Sequence, residues 1–229
     1  MNNNPIFCAL DTNNLEKAKK IAEQIKPFVG GYKLGLEFFS SCGINGLIQI
    51  KKIGLPLFID LKFYDIPNTV TSALKNILEL QPMLTTIHIS GGSKMMGECL
   101  DLRNRVNSKT KIIGVTMLTS LNDEMIKEVG HSLSINESIN TLAGVANKVG
   151  IDGVVCSPLE IKLLKEKYPK LELVVPGIRS LKDSFDDQIR ILSAKEAVDH
   201  GANYLVIGRP ITQADDPAKA AEEIFRNIQ

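Results

Sequence analysis

The stretch FIDLKFYDIPNT, Phe58 to Thr69, runs an apolar segment of strand character into three charges, Asp60, Lys62 and Asp65. Charges in such an element are costly unless they pair or take part in chemistry. Residues two apart on a strand face the same way, so Asp60 and Lys62 are expected side by side. An acid beside a base suits proton transfer and the stabilisation of charge that develops during a reaction. Flanking carboxylates favour the lysine as a cation and proton donor, not as the free amine of a Schiff-base nucleophile.

Two more charges end the preceding apolar runs, Asp11 after IFCAL and Lys33 within GYKLG. Adjacent strands lie about 4.8 Å apart, so Asp11, Lys33, Asp60 and Lys62 are expected to form an alternating row. The plain alternative is a satisfied buried ion-pair network with no chemistry. A Gly-Arg turn, Gly208–Arg209 in VIGRP, has the planar guanidinium that suits a phosphate. The polar segment VVPGIRSLKDSFDDQIR, Val174 to Arg190, reads either as a surface connection or as a cover over that phosphate. Arg179 and Gln188 are its candidate donors. His88 is expected to be a satisfied core or rim histidine. His131 and His200 have no partners at ligand spacing, so no metal is expected.

The elements that must position these residues alternate regularly. Eight strand-like runs occur: IFCAL, GYKLG, LFIDLK, TTIHIS, KIIGVTML, DGVVCS, LELVVP and YLVIG. In a chain of 229 residues they recur about every 28 residues, near the roughly 30 of a strand–helix–strand unit. Between them, NLEKAKKIAEQI carries an apolar stripe, with Asn13 and Glu16 at capping-box spacing. DPAKAAEEIFRNI starts with Asp216 as cap and Pro217 as first helical residue. An extra short helix is expected after Thr119, before the main helix of that unit.

This repeat predicts a single (β/α)8 TIM barrel spanning residues 1–229, with its chemistry at the C-terminal strand ends. An open doubly wound sheet fits less well, because no G-x-G-x-x-G turn follows the first strand.

Lys plus Arg total 27 and Asp plus Glu 26. No global field favours nucleic acid or an anionic membrane, so an anion must be held by a local site. No run of 18 apolar residues occurs, and IFCAL lacks the basic flank of a signal peptide. Cys8, Cys42, Cys99 and Cys156 are scattered, as expected of reduced thiols in a cytoplasmic protein.

With these segments in hand, the sequence resembles the orotidine 5′-phosphate decarboxylases of bacterial type. The segments that carry the resemblance are ALD at Asp11, YKLGLEFF, DLKFYDIPNTV, HISGG, MLTSL at Thr119, VCSPLE, VPGIR and ANYLVIGRPITQADDP. The segment Ser180 to Asp187 departs from many relatives in having no glycine.

The resemblance implies cofactor-free conversion of orotidine 5′-phosphate (OMP) to uridine 5′-phosphate (UMP) in pyrimidine biosynthesis. It implies that Asp11 and Lys33 hold the ribose hydroxyls, and that Asp60 and Lys62 face the reacting carboxylate and C6. Lys62 would protonate the carbon. Asp65 and Thr69 would reach the neighbouring site of a homodimer, and Thr119 would lie near the base. Arg179, Gln188, Gly208 and Arg209 would take the phosphate.

Two other readings stay open. One is a metal-dependent sugar-acid-phosphate decarboxylase of the same superfamily, although Lys33 would repel its divalent cation. The other is a barrel that binds phosphate without catalysis.

Overall fold

The computed structural model describes residues 4–178 and 193–229. Eight strands occur among them: β1 Ile6–Ala9, β2 Gly31–Gly35, β3 Leu57–Phe63, β4 Leu84–His88, β5 Lys111–Val115, β6 Gly153–Val155, β7 Glu172–Val175 and β8 Tyr204–Ile207. All pair in parallel in chain order, and β8 closes on β1 with Ile6 opposite Leu205. The result is the closed barrel expected from the repeat.

Period-two alternation divides the core into two layers. Phe7, Phe58, Leu84, Ile113, Val115, Val155, Val174 and Tyr204 fill the barrel interior. The intervening residues, such as Cys8, Ile59, Ile112 and Val154, join the larger core outside the sheet. Phe7 meets Phe58 and Tyr204 edge-on, at ring separations of 6.2 and 5.7 Å. Burying each such ring is worth about 1.5–3 kcal/mol. At the N-terminal end, Lys111, Glu172 and Tyr204 satisfy one another through hydrogen bonds of 2.6–3.0 Å.

Inward-facing positions therefore change character along each strand. Phe58 precedes Asp60, Leu84 precedes Thr86, and both polar side chains remain buried. The apolar floor forces the polar residues to find partners at the C-terminal mouth.

The connections follow local signals. The first four helices are α1 Leu15–Ile25, α2 Leu36–Lys51, α3 Pro67–Glu79 and α4 Gly92–Arg105. After β5 come the expected short helix, α5 Asp123–Glu128, and the main one, α6 Ile135–Val149. Ser134 and Glu137 make a reciprocal capping box at the start of α6. The remaining helices are α7 Ile161–Lys167, α8 Ala194–Asp199, α9 Arg209–Thr212 and α10 Pro217–Asn227. Asp216 caps α10 by accepting the Lys219 N–H at 3.0 Å, and Pro217 takes its first position.

One cap differs from expectation. The cap of α1 is Asn14, which accepts the N–H of Lys17, not Asn13 with Glu16. The extended backbone at Asn14 starts the helix one residue later, so position N3 is a lysine and the reciprocal bond is lost.

Candidate active site

A cavity of about 480 Å³ opens at the C-terminal ends of the strands, within the roughly 300–1,000 Å³ of small-molecule sites. Asp11, Lys33, Asp60 and Lys62 contribute one group of its lining residues. Val115, Met117, Val155, Val174, Ile178 and Val206 contribute apolar surface, and Thr119, Gly208 and Arg209 line it as well.

The charges form a continuous row. Lys33 Nζ lies 2.8 Å from Asp11 Oδ1 and 3.9 Å from Asp60 Oδ2. Lys62 Nζ lies 2.8 Å from that same Oδ2. Adjacent strands bring them together, with Ala9 opposite Lys33 on β1 and β2, and Gly35 opposite Asp60 on β2 and β3. Lys33 and Asp60 are buried, where one unpaired charge would cost several kcal/mol. Alternating signs offset part of that cost and fix the order of the row.

Gly35 lies close against this ion pair. A Cβ there would lie 2.9 Å from Lys33 Nζ and 3.3 Å from Asp11 Oδ1. The glycine leaves room for an ion pair across the mouth.

Asp60 and Lys62 meet as expected, but not through regular strand geometry. The β3–β4 register passes from Ile59–Thr85 to Phe63–Ile87, so β3 bulges between them. Within the bulge Lys62 has φ of 50°, in the left-handed region. For a residue with a Cβ, this costs on the order of 1–3 kcal/mol. The Lys62 N–H donates to Thr86 Oγ1 at 2.9 Å, and that hydroxyl donates to Asp60 Oδ1 at 2.9 Å.

Sequence reasoning missed Thr86, although period-two spacing from the floor residue Leu84 places it inside the barrel. It also missed Glu37 and Gln213, which line the cavity. Gln213 lies one helical turn after Arg209 and was visible by that spacing.

Asp65 and Thr69 are not brought into this row. Both are exposed, neither lines the cavity, and Asp65 Oδ1 accepts the N–H of Ile66 at 2.7 Å. Arg179 and Gln188 lie outside the described residues. His88 is a rim residue, half-buried with its ring 5.5 Å from that of Tyr64. Burial first, and then the charge of Lys62, pull its pKa below the usual 6.5. Among the described residues, no group of three or more His, Cys, Asp or Glu is placed to hold a metal ion. No helix among them is long and apolar enough to cross a membrane.

A closed parallel barrel with alternating charges at its C-terminal mouth, Lys33 and Asp60 among them buried, defines a TIM-barrel enzyme. The chain matches the Orotidine 5′-phosphate decarboxylase / HUMPS family over residues 4–224 and belongs to that family. It is 44% identical over 227 residues to an orotidine 5′-phosphate decarboxylase of Ehrlichia chaffeensis, covering 98% of this chain and 97% of the relative. A relative of that name from Erythrobacter litoralis is 42% identical, with 96% and 97% covered. The crystal structure of orotidine 5′-phosphate decarboxylase from Lactobacillus acidophilus superposes with a TM-score of 0.86 at 35% identity, covering 99% of both chains.

Proposed function

We propose that this barrel decarboxylates OMP to UMP in pyrimidine biosynthesis, with Lys62 as the proton donor. The observation that carries the mechanism is the Asp11–Lys33–Asp60–Lys62 row, with its successive contacts of 2.8, 3.9 and 2.8 Å.

In the reaction, the bond from pyrimidine C6 to its carboxylate breaks. The electron pair remains on C6 and CO2 leaves. Lys62 Nζ then gives a proton to C6, and the amine regains one from solvent. The carbanion has no ring position that readily takes its charge, so the rate depends on preorganised electrostatics. The Lys62 cation favours charge at C6. Asp60 beside the substrate carboxylate disfavours the ground state, and loss of CO2 relieves that repulsion.

Asp11 and Lys33 hold the ribose hydroxyls and brace the row. Thr119 lies beside the base. Gly208 and Arg209 take the phosphate, joined by Arg179 and Gln188 from outside the described residues. Reading the protein as a homodimer explains why Asp65 and Thr69 do not line their own cavity. Tyr64 and Ile66, on either side of Asp65, are 62% and 66% exposed, apolar surface that a second copy would cover. Four unpaired cysteines suit a reducing cytoplasm.

The test is the absorbance change as OMP is consumed, measured with EDTA present. Turnover that survives the chelator supports cofactor-free decarboxylation. Absence of turnover, or its loss to EDTA alone, overturns this mechanism in favour of a binding barrel or a metal-dependent relative.

A further inference from the structure

We infer that Thr86 is a positioning residue for the Asp60–Lys62 pair, holding the lysine in its left-handed conformation and fixing the orientation of the carboxylate. This rests on the reading of that pair as the reacting acid and base.

The hydroxyl has a single proton, so its two contacts determine its direction. Because Lys62 N–H donates to Oγ1, the hydroxyl proton is left for Asp60 Oδ1, each contact being 2.9 Å. The other carboxylate oxygen, Oδ2, faces Lys62 Nζ at 2.8 Å and Lys33 Nζ at 3.9 Å. Both oxygens of Asp60 are therefore engaged, and the carboxylate plane cannot turn without losing a bond.

The same hydroxyl spans the bulge. It ties the side chain of Asp60 to the backbone of Lys62 where the β3–β4 register is interrupted. Lys62 occupies a strained conformation at φ of 50°, of a kind that persists only where surrounding contacts impose it. Thr86 is fully buried and does not line the cavity. It acts on the substrate only through Asp60 and Lys62.

Thr85 provides a built-in comparison. It is equally buried, on the outer face of the same strand, and its hydroxyl has no hydrogen-bond partner among the described residues. Replacing that hydroxyl with a methyl breaks no hydrogen bond among the described residues.

The experiment compares Thr86→Val, Thr86→Ser and Thr85→Val for turnover of OMP and for binding of UMP, with Lys62→Ala as reference. Thr86→Val removes both bonds at constant shape, and kcat is expected to fall about ten- to a hundredfold. UMP affinity and KM should stay within about threefold, because Thr86 does not touch the ligand. Thr86→Ser keeps the hydroxyl and should restore kcat to within about threefold, as should Thr85→Val. The serine variant exchanges no polar group for an apolar one, so a folded Thr86→Ser protein that loses more than about tenfold in kcat overturns the assignment even where the valine variant does not fold.

Wild-type kcat in Thr86→Val, or a serine variant as impaired as the valine one, would overturn the assignment. So would a fall in UMP affinity that matches the fall in kcat. If the native protein does not turn over OMP, or Lys62→Ala keeps full activity, the underlying reading fails. If Lys62 is required and Thr86→Val is unimpaired, only Thr86 is wrongly assigned.

Discussion

Lys62 Nζ lies 2.8 Å from Asp60 Oδ2, although the residue between them, Leu61, buries its side chain in the outer core. In the proposed mechanism the pair presents a cation and an anion to the same reacting centre. Two unit charges 4 Å apart at an effective dielectric near 20 interact by about 4 kcal/mol, close to a thousandfold in rate. Lys62→Ala should therefore lose at least about a thousandfold in kcat, while the fold is retained and UMP binding suffers much less. Activity within tenfold of wild type, by OMP absorbance, would remove Lys62 from the mechanism.

At the other group of site residues, Arg209 begins α9 and lines the same cavity. Arg209→Ala should weaken turnover of OMP, because a charge-assisted fork to the phosphate is lost. Binding energy at that remote group also contributes to the rate at C6. Orotidine without its phosphate should be a very poor substrate for the native protein, and the substitution should scarcely alter it. Comparison of kcat/KM for the two substrates checks this; equal losses would mean that Arg209 does not hold phosphate.

A shared site makes a distinctive prediction for mixed dimers. If Lys62 serves its own subunit and Asp65 the neighbour's, Lys62→Ala and Asp65→Ala homodimers are damaged at both sites. A mixed dimer collects both defects in one site and leaves the other native. Random exchange makes half the dimers mixed, so about a quarter of wild-type activity should return. Exchange is confirmed independently, and activity is followed by absorbance. Activity that stays at the parental average after full exchange would place Asp65 in its own subunit's chemistry.

His88 reports the local field. Its pKa is lowered by burial and by Lys62, and Asp60 opposes this. Lys62→Ala should raise the pKa of His88 and Asp60→Asn should lower it further, as read by NMR titration of the imidazole. The native state disfavours the protonated ring more than the unfolded chain does. The stability associated with His88 is thus full above the unfolded value of 6.5 and lost as pH falls through the folded value. His88→Gln should flatten that part of the stability–pH profile in denaturant unfolding.

The sequence by itself determined the eight strands, their parallel order and the end of the barrel that carries charge. Those features depend on short-range periods: apolar runs, helical stripes, and polar residues where each strand stops. Asp11, Lys33, Asp60 and Lys62 were legible because four charges at three successive strand ends must pair if buried. The start of α1 was misread by one residue, since Asn13 and Asn14 are equally good caps and the backbone decides between them. Only the tertiary structure decided how Asp60 and Lys62 meet. Regular alternation predicts the same face, but the contact arises in a bulge, with Lys62 at positive φ and its N–H on Thr86. The close approach of Gly35 to the Lys33–Asp11 ion pair likewise arises from residues on neighbouring strands and the loops that follow them. The physical reason is common to these cases: periodicity sets which way a side chain faces. Register, strain and close approach are set by residues far away in the chain.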